Sequence, residues 1–289
     1  MKKYLTVLAG NPRGGEHTWK SLYKYVIDHL DSDLAICTGD IWVSENSLFE
    51  KADYKWIFEE PENWFSYYEK NFNKNWYDFF SLGKETGLYN SGNIHFAIKD
   101  IILKNYIDIL ESYEFIIYSR FDQFYTDYHP KLSGNNIWIP EGEDYFGICD
   151  RHAVFPSEFA NDFLNICGFI NSKVALKYDS SYLNCETTFF NQLQENNQIN
   201  TVKRFDRLQF TSAVEGDKTN WRIPIMRVYG ISKLYMKYPN EFMLSVKNLL
   251  RTKNIFKATL KEPLLVLNYF YLQSRITFGR KFKSSKRKN

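Results

Sequence analysis

The run Tyr4-Leu-Thr-Val-Leu-Ala9 is apolar on both of its alternating faces, which predicts a strand buried inside a parallel sheet. Gly10-Asn-Pro-Arg-Gly-Gly15 follows as a turn, and His17–Leu30 then places Trp19, Leu22, Tyr23, Val26, Ile27 and Leu30 at helical spacing. Leu34–Thr38 is a second apolar strand, stopped by Gly39-Asp40. Strand, glycine-rich turn, helix and strand make a βαβ unit, whose crossover puts the turn at the carboxyl edge of the sheet.

Tyr54–Glu59 predicts a third strand, and the aromatic stretch Trp64–Tyr89 predicts helix in pieces. Ile94–Leu110 has a strong helical period, and Phe115–Tyr118 reads as a buried strand ending in Ser119-Arg-Phe-Asp-Gln123. Ile137–Ile139 and Tyr145–Ile148 predict short strands, Ser157–Ile170 and Tyr182–Gln194 helices, and Val202–Phe205 a late strand. From Pro239 onward the pattern is helical. The chain is therefore expected to be α/β, a Rossmann-type sheet flanked by helices. With no repeat and no Pro/Gly/Ser-rich linker, the expected division is a catalytic domain over 1–238 and a helical C-terminal extension over 239–289.

Composition changes this picture in three places. The chain has 24 Phe, 21 Tyr and 7 Trp, most of which should pack the core, with some left to stack on sugars or bases. Cys37, Cys149, Cys167 and Cys185 show no CxxC spacing, so free thiols in a reducing cytoplasm are expected, and no zinc. The Tyr4–Ala9 run is too short for a secretory leader, and no stretch approaches the roughly 20 apolar residues of a membrane span. Charge is unevenly spread. Arg275–Asn289 holds seven of the 37 Lys and Arg residues and none of the 34 acids, leaving the rest of the chain acidic by four. A mildly acidic body with a basic tail excludes a duplex nucleic-acid binder. Behind the apolar stretch Leu264–Tyr271 the tail suits a peripheral contact with anionic lipid, where each basic residue contributes about 1 kcal/mol; a solvated tail is the plainer reading. The expected location is the cytoplasm, with contact to the inner face of the cell membrane.

Five groups of residues could carry chemistry. Glycines after the first strand, Gly10 and Gly14 among them, let backbone N–H groups approach a phosphate, and Arg13 could grip a diphosphate; a structural turn explains them equally. The loop is neither GxGxxG nor a Walker A sequence, which speaks against NAD enzymes and kinases. Arg120 and Asp122 end a buried strand, where strict alternation would put both on one face. Asp122 could hold a ribose hydroxyl or a divalent metal, Mn or Mg, and Arg120 could neutralise a diphosphate directly; the alternative is an internal ion pair. Asp150, Arg151 and His152 cluster in a loop, with Asp150 a candidate base and His152 its rival. Glu186 is a second candidate base, because an acid on an apolar helix must face water or a site. Arg204, in Lys203-Arg-Phe-Asp-Arg207, could add positive charge at the leaving group or simply be exposed.

A first strand followed by Gly10-x-x-Arg13, with a mid-chain strand ending in Arg120-x-Asp122, resembles bacterial surface-polysaccharide glycosyltransferases of the lipopolysaccharide-synthesis WavE type. Gly147–His152 and Asn184–Glu186 resemble the acceptor-side blocks of that family, with Arg151 and His152 toward the acceptor. The resemblance spans roughly Tyr4 to Thr211. It implies a GT-A-like sheet, a nucleotide-sugar donor and a glycan or lipid-linked oligosaccharide acceptor. Gly10, Arg13, Gly14, Asp122 and Arg204 would then bind the donor, and Asp150, Glu186 and Arg120 would carry catalysis. The family's Asp-x-Asp element here begins with the cation Arg120, which could replace a metal. Two other readings are a sulfotransferase-like enzyme and a non-catalytic carbohydrate- or nucleotide-binding module.

Overall fold

In the computed structural model the described residues are 3–83, 88–178, 183–217, 226–228 and 234–285. Residues 84–87 of the expected aromatic helical segment, Tyr182, and Lys286, Arg287 and Lys288 of the basic tail lie outside them. The chain forms two compact units. One comprises Met1–Pro12, Val26–Phe121 and His129–Phe205, the other Arg13–Tyr25, Asp122–Tyr128 and Asp206–Asn289. In chain order the strands are β1 (Tyr4–Ala9), β2 (Asp33–Gly39), β3 (Tyr54–Phe58), β4 (Phe115–Ser119), β5 (Gln123–Tyr125) and β6 (Ile137–Pro140), then β7 (His152–Pro156), β8 (Val202–Phe205), β9 (Gln209–Val214), β10 (Met226–Arg227) and β11 (Leu234–Met236).

The first unit is built on a seven-stranded sheet in the order β3-β2-β1-β4-β7-β6-β8. Strand β1 lies parallel to both neighbours, with Val7 opposite Ala35 of β2 and Tyr118 of β4. Because β2 lies on one side of β1 and β4 on the other, the strand order reverses there, the point at which open α/β sheets hold ligands. Only β7 is reversed: it runs antiparallel to β4, with Ser119 opposite His152, and antiparallel to β6. Its amino end therefore joins the carboxyl ends of β1, β2, β4, β6 and β8 on one edge of the sheet.

Every residue of β1 and β4 is buried, as expected for strands covered on both faces. Helix Asn93–Glu111 packs on β1 and β2. The aromatic stretch forms helices Trp64–Asn71 and Asn75–Leu82, whose Tyr68, Trp76, Phe79 and Phe80 are buried. Their rings meet edge to face or tilted, Tyr68 and Phe80 with centroids 5.2 Å apart, so the aromatic excess here is core packing.

Two expectations are corrected in this unit. Tyr145–Ile148 is not a strand, because Glu143, Tyr145 and Phe146 take positive φ angles of 57°, 43° and 70°, which no extended strand allows. The strand lies further on, over His152–Pro156. The segment 157–170 is not one helix either. It breaks at Asn165, whose side chain accepts from Gly168 N at 3.1 Å and caps a second short helix.

The second unit has a four-stranded antiparallel sheet, β10-β11-β9-β5, flanked by helices Gly15–Leu22 and Pro239–Lys261. Its core joins Phe124, Phe210, Leu234, Met236, Phe242 and Val246. Fully buried within it, Arg207 Nη1 donates to Glu241 Oε1 at 3.3 Å, and Glu241 Oε2 accepts from Thr211 N at 2.6 Å. The helix from Pro239 is interrupted at Asn254, where φ is 55° and ψ 164°, and a further helix runs over Pro263–Ser285. Among the described residues no helix is long and apolar enough to cross a membrane.

Candidate active site at the carboxyl edge of the sheet

In the first unit the edge collects Arg120, directly after β4, and Asp150 and Arg151, directly before β7. Glu186 joins them from the first turn of helix Cys185–Glu195. That helix starts where it does because Asn184 caps it. Asn184 Oδ1 accepts from Thr187 N at 2.8 Å, and Thr187 Oγ1 accepts from Asn184 N at 2.9 Å, a reciprocal capping box.

Loop 141–151 is sewn to this helix start. Ile148 N donates to Glu186 O at 3.1 Å, and Asn184 Nδ2 donates to Tyr145 O at 2.9 Å. Gly147 sits so close that a Cβ would stand 2.1 Å from Glu186 O. Gly147→Ala should therefore push the loop off the helix, costing about 1–3 kcal/mol and disturbing Glu186. A thermal melt together with an activity assay reads this, and an unperturbed Gly147→Ala protein would contradict the packing.

Arg204 serves the same loop. Its Nη1 donates to Asp144 Oδ1 at 2.9 Å and Pro140 O at 3.2 Å, while Asp144 Oδ1 also accepts from Cys149 N. Arg204 is thus engaged in holding the loop closed at its base.

The electrostatics centre on Glu186. Burial pushes its carboxyl up, and the negative charge of Asp150 pushes it further; Arg151 and Arg120 pull the other way without cancelling them, so its pKa stands at about 7. Arg151 Nη2 lies 3.9 Å from Glu186 Oε1, donates to Glu143 O at 3.1 Å, and its guanidinium stands 5.6 Å from the Tyr145 ring centre. Asp150 and Arg151 are themselves buried. A carboxylate that titrates near neutrality beside two guanidiniums can accept a proton from a hydroxyl while an anion forms nearby.

Lys99 was not singled out from the sequence. It is fully buried, its Nζ has no hydrogen-bond partner among the described residues, and the rings of Phe163, Phe189 and Tyr118 surround it at 4.5, 4.8 and 5.3 Å. Burial lowers its pKa, while the nearby charge of Asp150 works against that lowering. The available signal was a Lys-Asp pair inside Phe96–Ile102, a stretch buried along its whole length.

His152 belongs to the core. Its Nε2 lies 3.0 Å from Nε2 of His129, its Nδ1 lies 3.2 Å from Ser119 Oγ, and it is wholly inaccessible. Burial drives the His129 pKa down to about 4, so the pair is held by a neutral ring. A fully enclosed imidazole with both nitrogens engaged cannot meet an acceptor, and His152 leaves the candidate set for that reason.

The remaining sequence candidates fall elsewhere. Gly10 extends the main sheet, donating its N–H to Cys37 O at 3.1 Å. Arg13, Gly14 and Asp122 lie in the second unit. Gly14, at φ 92°, donates its N–H to Asp217 Oδ2 at 3.0 Å, and Val214 N donates to the same oxygen at 2.9 Å. A carboxylate thus occupies the start of helix Gly15–Leu22, where a phosphate was expected. Burial raises the Asp217 pKa; Asp122 raises it further, and Arg13 lowers it. Asp122 does not continue β4 by alternation, because Phe121 and Asp122 form a turn. Among the described residues no group of three or more His, Cys, Asp or Glu side chains is arranged to hold a metal.

Compared with protein-family models and with curated proteins, the sequence matches none.

Proposed function

We propose that this chain is a glycosyltransferase that moves a sugar from a nucleotide-sugar donor to a hydroxyl of a glycan or lipid-linked oligosaccharide of the bacterial surface. The observation that carries this reading is Glu186, a largely buried carboxylate with a pKa of about 7, set between Asp150, Arg151 and Arg120 at the carboxyl edge of a Rossmann-type sheet. Such a base takes the proton of the acceptor hydroxyl as that oxygen bonds to the anomeric carbon. The bond from that carbon to the diphosphate oxygen breaks, and Arg120 and Arg151 offset the negative charge left on the departing nucleoside diphosphate. Asp150, named first as base on sequence grounds, acts here as the charge that keeps Glu186 basic.

The N–H groups of Gly10 and Gly14 are already bonded within the protein, which counts equally against a phosphate loop of the sulfotransferase-like reading and against these glycines as donor ligands.

A thermal-shift screen with nucleoside diphosphates and nucleotide sugars, with and without manganese, tests donor binding. One nucleoside diphosphate is expected to raise the melting temperature, since a ligand of the folded state stabilises it by mass action. If manganese strengthens that effect, donor binding is metal-assisted; if it does not, Arg120 and Arg151 meet the diphosphate without a metal. Indifference to every nucleotide would leave the carbohydrate-binding module as the better reading.

A further inference from the structure

Half of the exposed large hydrophobic residues among those described, seven of fourteen, fall between Ile255 and Tyr271. Ile255, Phe256 and Leu260 follow the break at Asn254, whose Oδ1 accepts from Lys257 N at 3.0 Å and starts a new helical segment. Beyond Pro263, Leu264, Leu267 and Tyr271 recur at three- and four-residue spacing and form one stripe, continued by the exposed Arg275. The opposite side of the same helix is also apolar, with Leu265, Val266 and Leu272 buried. A helix that is apolar on its outer side as well as its inner one requires a second apolar medium.

The elbow between the two helical segments is fixed to its own unit. Lys261 Nζ hydrogen-bonds to Asp127 and lies over the rings of Tyr25 and Tyr128 at 4.5 and 4.3 Å, and the Tyr25 hydroxyl donates to Glu262. Leu260 and Leu264 therefore flank a braced corner and stay exposed beside it. Charge identifies what covers them. From Arg251 to the end the sequence has eleven Lys and Arg residues and a single acid, Glu262. Arg251 pairs with Asp206, and Lys253 and Lys261 with Asp127, so the excess positive charge rests on Lys257 and the seven basic residues from Arg275 onward. A second copy of this surface would bring like charge onto like charge, whereas an anionic bilayer complements it.

We propose that residues 255–275 form a membrane-surface platform. It lies in the plane of an anionic bilayer, with Phe256, Leu260, Leu264, Leu267 and Tyr271 in the boundary between headgroups and acyl chains and the exposed Lys257 and Arg275 among the headgroups. This places the contact on the braced helical elbow itself and not only on the terminal basic tail. It is independent of the transferase reading.

The test uses the full chain and sedimentation with vesicles of phosphatidylcholine alone or with phosphatidylglycerol added to roughly one third. The wild-type protein is expected to bind the anionic vesicles, to ignore the neutral ones, and to release as salt is raised. The double variant Phe256→Glu/Leu260→Glu is expected to bind about tenfold more weakly with an unchanged melting temperature, because both side chains are exposed. Failure of the wild-type chain to bind anionic vesicles would overturn the proposal. So would undiminished binding by the double variant, which would put the contact elsewhere. An oligomer that the double variant disperses, without vesicle binding by either protein, would assign the face to a second copy and overturn it too.

Discussion

Glu186→Gln is expected to lower turnover by about 10²–10⁴-fold and, at pH 8, to make the protein more stable. Both effects share one cause. In the folded protein burial and Asp150 hold the Glu186 pKa at about 7 against an ordinary 4.5, so the fold favours the protonated acid. In the proposed mechanism the base is the carboxylate, so the rate should rise with pH through a midpoint near 7. Stability has the opposite sign: a raised pKa means that the folded state binds the proton more tightly than the unfolded chain. The Glu186 contribution is fully present below about pH 4.5 and is lost as pH rises toward 7 and beyond. The neutral amide removes that loss, a gain of about 1–3 kcal/mol at pH 8. Melting curves at pH 5 and pH 8, run beside a rate assay, check both halves. A Glu186→Gln protein that keeps its rate, or that loses stability at pH 8, contradicts the assignment.

Glu241→Ala is expected to destabilise the second unit by about 3–5 kcal/mol. The substitution removes the carboxylate that Arg207 and Thr211 N both use in a core without solvent access. What remains is a buried cation and an orphaned amide at the centre of β9. Replacing the pair together, Arg207→Met with Glu241→Leu, should recover the part of the loss that belongs to the buried charge, since two apolar chains leave only the Thr211 amide unpaired. Denaturant titration of the two proteins separates the cases. Equal stabilities would mean that the cost lies in packing.

What the sequence made legible follows from where the information sits. Strands β1, β2 and β4 announce themselves because burial on both faces leaves a nearly continuous apolar run with only small polar residues inside it, Thr6, Thr38 and Ser119, and the helix over Asn93–Glu111 carries its own period. Strand β7 was hidden because it opens on a histidine and closes on a proline. His152 is admitted to the interior by His129, 23 residues away, and by Ser119 of β4, tertiary pairings that no local pattern encodes. The reverse error at Tyr145–Ile148 has a local cause. Aromatic residues favour strands, yet here positive φ angles turn the chain back on the helix start. Strands β5, β10 and β11 are two or three residues long, too short for alternation to register.

The site shows the same division. Glu186 was legible because an acid on an apolar helix demands a reason, and Arg120 because it ends a buried strand. Their meeting with Asp150 depends on the reversal of β7, which sets Arg151 and Asp150 beside the end of β4. Asp217 gave no signal. Its role comes from two backbone amides, those of Gly14 and Val214, which lie together only once the second sheet is formed.

The central claim is transfer from a nucleotide-sugar donor with Glu186 as base, and nucleoside diphosphate release tests it most directly. The purified protein is incubated at pH 8 with a panel of nucleotide sugars, and free nucleoside diphosphate is followed over time. The account predicts release from one donor, with a rate that climbs through pH 7 and collapses in Glu186→Gln. No release from any donor, or release equally fast from the Glu186→Gln protein, would contradict it.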